Sequence, residues 1–213
     1  MPTESFRKIK SKHGKLFLRV SQGHFATSHS HINYYIDVTT QKTRLSEADA
    51  VAKELVAYYN TNTLVDTILC LDGTEVIGTC LARELTNGGY LNMNAHQTIY
   101  VVTPEHTAGS QLIFRDNTVP AIKGKHVLIL AASVTTGYTA QAAAEAVNYY
   151  NGHVAGICAI FATQETCAGH AVRSVFDTKD LDGYASHPSH ECPLCKQGIK
   201  IDALVNGFGF SKL

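Results

Sequence analysis

The chain has no tryptophan, only two methionines and five prolines in 213 residues, and its charges cancel, with 18 Lys plus Arg against 18 Asp plus Glu. A formal charge of zero removes the broad electrostatic attraction by which proteins hold nucleic acid or acidic membranes. Neither partner is expected, and any anion site has to be local, built from backbone amides and a few side chains. Long apolar runs are missing too. Val127 to Ala132 and Val154 to Ala162 are the longest, far short of the roughly 20 residues that span a bilayer. Met1 to Lys15 is polar and basic, without the apolar core of a signal peptide. A cytoplasmic protein is the expectation. The closing Ser211-Lys212-Leu213 matches a peroxisomal address, but a tripeptide coincidence is cheap and nothing else points that way.

What is present is globular: 45% apolar and 17% charged residues, in a length that suits a single domain with a real core. We expect residues 1–45 to hold N-terminal strands, 46–180 the core and 181–213 a C-terminal segment. Leu16 to Val20 and Tyr34 to Val38 read as strands joined by a His- and Ser-rich loop. Ser46 followed by Asp49 predicts a helix start, and Ala48, Val51, Ala52, Leu55 and Tyr59 keep helical spacing behind it. From there strands and helices alternate. Val65 to Leu71, Thr98 to Val102, His126 to Leu130, Val154 to Phe161 and Val172 to Phe176 read as strands. Between them lie a helix from Val76 to Leu85, ending near Asn87-Gly88-Gly89, and another through Ala140 to Val147, closed by Asn151-Gly152. Pro104 to Asn117 reads as a polar loop. Strands apolar on both faces and alternating with helices predict an α/β fold with a parallel sheet flanked by helices. Six cysteines, three of them in apparent strands or helices (Cys70, Cys80 and Cys158), suit a reducing compartment better than a disulfide framework.

In a parallel sheet, ligands collect beyond the carboxyl ends of the strands. Ser133, Val134, Thr135, Thr136, Gly137, Tyr138 and Thr139 stand there, between a buried strand and a helix starting near Thr139. Amides at a helix start lack intrahelical partners and carry partial positive charge, threonines add hydroxyl donors, and glycine lets the backbone approach an anion. A phosphate-binding loop is one reading; a turn of small residues with a threonine cap is the other.

The segment from Val127 to Thr139 resembles the phosphoribosyl-pyrophosphate (PRPP) motif of type I phosphoribosyltransferases: four apolar residues, two acidic ones, then Thr-Thr-Gly. Val127 to Leu130 and Thr135-Thr136-Gly137 match in register. Asn33 to Val38 is similar to the N-terminal strand of orotate phosphoribosyltransferases, Leu71 to Gly78 to their pyrophosphate-binding turn, and Cys192 to Gly198 to a C-terminal segment of some members. The resemblance covers most of the chain from Tyr34 onward. It implies a hood over the sheet, the 5′-phosphate at residues 133–139, pyrophosphate at Asp72, Gly73 and Thr74, Mg2+ carried with PRPP, a nucleobase acceptor such as orotate, and a homodimer. An ordinary helix cap is the competing reading of Asp72-Gly73-Thr74.

Two departures bear on chemistry. The acidic pair, which in the family holds the ribose hydroxyls, is replaced by Ala131-Ala132. The family's Lys/Arg-rich catalytic loop corresponds here to Pro104 to Asn117, which offers only Arg115, and after it His106, as cations. Lys123, Lys125 and His126 come later and read as solvated residues leading into a strand. The expected function is binding of PRPP or a nucleoside monophosphate, with phosphoribosyl transfer weakened or altered; a non-catalytic phosphate or nucleotide sensor is the alternative.

Cys192-Pro193-Leu194-Cys195 forms a Cys-x-x-Cys pair with His187 and His190 just ahead of it. Two cysteines and two histidines suit a structural Zn2+, and a reduced pair in a surface turn is the bland alternative. His24, His29 and His31, with Ser28 and Ser30, lie in the segment that forms the hood in the family; there they either meet a base or are simply solvated.

Overall fold

The computed structural model describes residues 6–12, 16–59, 61–87, 92–95, 98–107 and 111–213. The chain runs β1 (Arg7–Lys10), β2 (Phe17–Ala26), β3 (His31–Asp37), α1 (Thr39–Thr43), α2 (Leu45–Leu55), β4 (Thr67–Cys70), α3 (Glu75–Thr86), β5 (Tyr100–Val102), β6 (Glu105–His106), β7 (Leu112–Ile113), β8 (His126–Val134), α4 (Tyr138–Tyr149), β9 (His153–Ala162), β10 (Thr166–Cys167), β11 (His170–Asp177), β12 (Ser186–His187), α5 (Pro193–Lys196), β13 (Ala203–Asn206) and β14 (Gly209–Lys212).

The central sheet has the order β10-β11-β9-β8-β4-β5. It is parallel from β11 to β5, with β10 added antiparallel at one edge. Its hydrophobic pattern explains its cover. Along β8, Leu128 and Leu130 face one core cluster, shared with Val51, Leu55, Ile77 and Leu81 of α2 and α3. Val127, Ile129 and Ala131 face the other, shared with Ala140, Ala143 and Val147 of α4. Successive strand side chains point to opposite faces, so a continuous apolar run is what a strand buried on both sides requires.

A second sheet, β12-β3-β2-β13-β14 with β1 on β2, forms the hood. The C-terminal strand β13 lies parallel to β2, pairing Ala203 with Phe25. Segments 178 positions apart thus close one layer, with Phe25, Tyr35, Ala203 and Val205 as its small core.

Several local expectations are corrected. The strand expected at His126 to Leu130 continues to Val134, so the alanine pair lies within β8. The helix cap expected at Ser46 and Asp49 does not form; α1 feeds into α2 through Arg44, whose carbonyl accepts from Glu47 and Ala48. Asp49 instead takes Lys53 at 2.6 Å and also Arg83 of α3. Pro104 to Asn117 contains the antiparallel pair β6–β7, and its residues 108–110 lie outside the described residues, as do Gly88 and Gly89 of the expected helix stop. Asn151 closes α4 with a left-handed φ of 58°.

Candidate functional site

Among the parallel strands taken in chain order, β4 lies between the second (β5) and the third (β8). Connections leave β4 and β8 toward opposite faces, which opens a crevice beyond their carboxyl ends. A cavity of about 280 Å3 occupies it. Asp72 borders it from the end of β4, and Ala132, Ser133, Thr135, Thr136 and Thr139 from the end of β8 and the start of α4. The hood supplies the roof: Thr27 to Ser30, Tyr35, Tyr184 and the C-terminal turn around Gly207.

The predicted phosphate loop divides. Ser133, Thr135, Thr136 and Thr139 line the cavity, whereas Val134, Gly137 and Tyr138 do not. Val134 is buried in the core against α4. Gly137 adopts φ +81°, and a side chain there would press on Gln164 and Cys167 at 3.1 and 3.2 Å; it shapes the turn rather than the surface. The Gly137 carbonyl also accepts from Gln141, the first rung of α4. Tyr138 stands out of the loop, its ring 5.2 Å from that of His29. Thr163 holds the loop from behind by donating its hydroxyl to the Thr135 carbonyl at 2.7 Å.

The two alanines are not equivalent. Ala131 is 1% exposed and sits in the apolar cluster under α4. Ala132 points the other way and lines the cavity. The carboxyl that does border the cavity is Asp72, held at a left-handed φ of 57°. Burial pushes its pKa up, while the Ala132 backbone amide and the charges of Lys42 and His106 pull against that rise. Gly73 and Thr74, expected to bind pyrophosphate, do not line the cavity. Thr74 is fully buried, and its hydroxyl donates to the carbonyls of Leu71 at 2.8 Å and Leu130 at 3.1 Å. Its hydrogen bond is spent on joining the turn to β8.

Sequence reasoning missed Lys42. It lines the cavity and is buried to 7% exposure, and its ammonium donates to the Asp72 carbonyl at 2.8 Å and to that of Gly207. Burial lowers its pKa, opposed by the charges of Asp72, Glu75 and Asp37. No motif surrounds it; only the packing of α1 under the C-terminal turn reveals it. Tyr184 was missed for the same reason. Its hydroxyl is buried without a partner among the described residues, in a side chain that lines the cavity. Burial pushes Tyr184 and Tyr35 up to about 12, so both are neutral phenols able to donate.

The catalytic-loop cations fare differently. Arg115 does not line the cavity; it grips Glu105 with Nε at 3.0 Å and Nη2 at 2.7 Å, on the exposed side of the β6–β7 pair. His106 does not line the cavity either, and only helps to pull the Asp72 pKa down. Lys125 and His126 belong to the opposite, amino end of β8, where His126 Nδ1 meets Asp66 at 2.9 Å.

Of the four residues expected to hold zinc at the C-terminus, the structure does not bring His187 and His190 to the cysteines. His187 is in β12, paired with β3, and His190 faces Glu191 at 3.3 Å on the surface. The histidines beside Cys192 and Cys195 are His24 and His31 of the hood. Of the hood residues, Ser28, His29 and Ser30 line the cavity, but His24 and His31 turn away from it.

Among the described residues, no helix is long and apolar enough to cross a membrane. No protein-family model matches the chain. A curated relative, orotate phosphoribosyltransferase of Chlorobaculum parvum, is 26% identical over 182 residues, covering 85% of this chain and 86% of that one. Solved structures of the same architecture include orotate phosphoribosyltransferase of Mycobacterium tuberculosis in complex with Fe(III) dicitrate, at TM-score 0.50 and 20% identity over 78% of this chain and 93% of that one. Adenine phosphoribosyltransferase of Trypanosoma brucei, in complex with AMP, pyrophosphate and ribose-5-phosphate, superposes at TM-score 0.53 and 12% identity over 78% of each chain. At such identities the structures establish the fold, and the curated relative adds a sequence similarity over most of the chain. The chain therefore resembles the type I phosphoribosyltransferases in sequence and in fold, orotate phosphoribosyltransferase among them, with alanines at the two acidic places of the PRPP motif.

Proposed function

We propose that the chain binds a phosphoribosyl ligand, PRPP or a nucleoside monophosphate, in the cavity beyond β4 and β8, and that transfer to a base is weak. The observation that carries this reading is the convergence on one cavity of Ser133, Thr135, Thr136 and Thr139 with Lys42. Hydroxyls and amides at the start of α4 suit the 5′-phosphate. The Lys42 ammonium suits a second phosphate or pyrophosphate, and Asp72 offers the carboxylate that can accept a ribose hydroxyl. Ser28, His29 and Tyr35 line the roof where a base would lie, and the likeness to orotate phosphoribosyltransferase makes orotate the first one to try.

Magnesium, carried by PRPP in the related enzymes, fits the donor set in one way only. Among the described residues the cavity offers a single carboxylate, that of Asp72, already faced by Lys42, which suits an ion held chiefly by phosphate oxygens and water rather than a protein cage. When bound, it would offset the charge of pyrophosphate. The residues themselves orient the sugar and exclude water beneath the hood. Among the described residues they lack the acidic pair, with Ala132 at the cavity wall and Ala131 in the core, and they lack the loop cation, because Arg115 is held by Glu105. That deficit favours a second reading, a nucleotide or phosphate sensor that kept the fold and gave up turnover.

A thermal-shift screen of PRPP, nucleoside monophosphates, inorganic phosphate and bases tests binding without presuming catalysis, since a ligand that binds only the native state raises the melting temperature. Stabilisation by PRPP or a monophosphate is expected. A screen in which none of these shifts the melt removes the proposal.

A further inference from the structure

We infer that His24, His31, Cys192 and Cys195 form a zinc site that fastens the N-terminal hairpin to the C-terminal segment. The four ligand atoms lie within 4.8 Å of one another. His24 Nε2 is 3.1 Å from His31 Nδ1, 3.5 Å from Cys192 Sγ and 3.6 Å from Cys195 Sγ, and Cys195 Sγ is 3.2 Å from His31 Nδ1. Around a tetrahedral zinc with bonds of about 2.3 Å to sulfur and about 2.0–2.1 Å to nitrogen, neighbouring N and S atoms stand about 3.6 Å apart and two nitrogens about 3.3 Å apart. These four edges agree to within about 0.4 Å, and the other two are no longer than 4.8 Å.

Proton bookkeeping supports a cation over a hydrogen-bonded cluster. His24 Nδ1 is 2.9 Å from the Ile199 carbonyl, which only accepts. That nitrogen therefore carries the ring proton, and Nε2 presents a bare lone pair to the cluster, the arrangement found in metal-bound imidazoles. That lone pair takes one proton, and His31 and Cys195, 3.2 Å apart, can share another, whereas one cation draws all four donors together at once. The scaffold is specific. His24 sits where the β2–β3 register shifts, between Gln22 and Phe25, and a bulge re-aims a side chain. Asp202 holds that backbone in place, accepting from the His24 amide at 2.8 Å and donating its own amide to the His24 carbonyl at 2.7 Å. Cys192 stands just before the single turn of α5 and Cys195 within it, where Lys196 N–H returns to the Cys192 carbonyl. Two thiolates with two imidazoles select zinc over hard cations.

The two histidines bracket the turn from Thr27 to Ser30, whose residues line the cavity. A metal here would set the position of that wall.

The test is metal analysis of the full-length protein purified without added zinc. About one zinc per chain is expected, with tetrahedral S2N2 coordination in the spectrum of the cobalt-exchanged protein; less than about a tenth of an equivalent overturns the proposal. His31→Ala and Cys195→Ser should lose the metal, while His187→Ala and His190→Ala should keep it; the reverse pattern would overturn the ligand assignment. Because a ligand variant can fail to fold, wild-type protein is also stripped with a chelator. Amide exchange at 24–31 and 199–206 should rise by more than about tenfold and fall again on adding zinc, and unchanged exchange refutes the clamp. None of these readouts requires the cavity to bind a phosphoribosyl group, so failure of that reading is separately visible.

Discussion

The Lys42 ammonium donates to the main-chain carbonyl of Asp72 at 2.8 Å, and the same group reaches the carbonyl of Gly207. One side chain from α1 thereby joins the turn after β4 to the C-terminal hairpin, across the edge of the cavity. The link explains how a buried cation is tolerated: two of its three protons are accepted by fixed carbonyls, and Asp72, Glu75 and Asp37 supply opposing charge.

Lys42→Met should therefore do two things. It leaves two partly enclosed carbonyls unpaired, which costs about 1–3 kcal/mol in a urea melt. It also weakens PRPP or inorganic phosphate by at least about tenfold in calorimetric titration, the lower end of a charge-assisted hydrogen bond. Unchanged phosphate affinity in a folded variant would confine Lys42 to a structural role.

Asp72 has the opposite titration logic to a salt-bridged carboxylate. Its folded pKa lies above the ordinary 3.8, so the protonated form is the one the fold favours. Its contribution to stability is complete below 3.8 and is lost as pH rises through the raised value. Asp72→Asn mimics the neutral form and should gain on the wild type in melting temperature as pH rises through that window. Paired melts across the acidic range check this; a gap that stays flat or narrows with rising pH would contradict the assignment.

Restoring the family's acidic pair should separate its two members. Ala132→Asp places a carboxylate at the cavity wall, folds, and raises phosphoribosyl transfer. Ala131→Asp drives a charge into the cluster under α4, at a cost of about 3–5 kcal/mol for an unpaired buried charge. Denaturant melts of the two variants, with turnover assays on whichever folds, decide the point. Equal stability of both would show that Ala131 is less enclosed than its packing indicates.

Thr136→Asp sets a negative charge against any phosphate in the loop. Binding of PRPP should fall by more than about a hundredfold, since like charges in contact cost several kcal/mol, while circular dichroism stays native. Retained affinity would move the phosphate away from β8 and α4.

Turnover of orotate with PRPP and magnesium by the wild-type protein should be absent or far below the roughly 1–10³ s⁻¹ of ordinary enzymes. Each missing charge-assisted contact is worth about 1.5–3 kcal/mol, or at least about tenfold in rate when lost only from the transition state. A rate inside the ordinary range would mean that Asp72, or another group, fully replaces the missing carboxylates.

The contrast between Thr136 and Lys42 shows where reading the chain stops. The turn at Thr135-Thr136-Gly137 was legible because it is a local object: the strand before it, the turn and the helix after it are contiguous. Lys42 belongs to no such unit, and its role arises from Asp72 and Gly207 meeting it from positions 30 and 165 residues away. The cysteine pair repeats the lesson. His187 and His190 are its neighbours along the chain, but His24 and His31 are its neighbours in space, because β13 pairs with β2 and carries the C-terminal segment to the hood.

Alternating apolar runs determined by themselves that the protein is a parallel α/β sheet with a crevice beyond β8, since side-chain periodicity acts within single elements and survives any arrangement of them. Tertiary structure alone decided which alanine faces the cavity, which cation enters it and which histidines meet the cysteines. Those outcomes depend on strand pairing and helix packing between distant segments, and the energies that select them come from burial and backbone hydrogen bonds that no local pattern records.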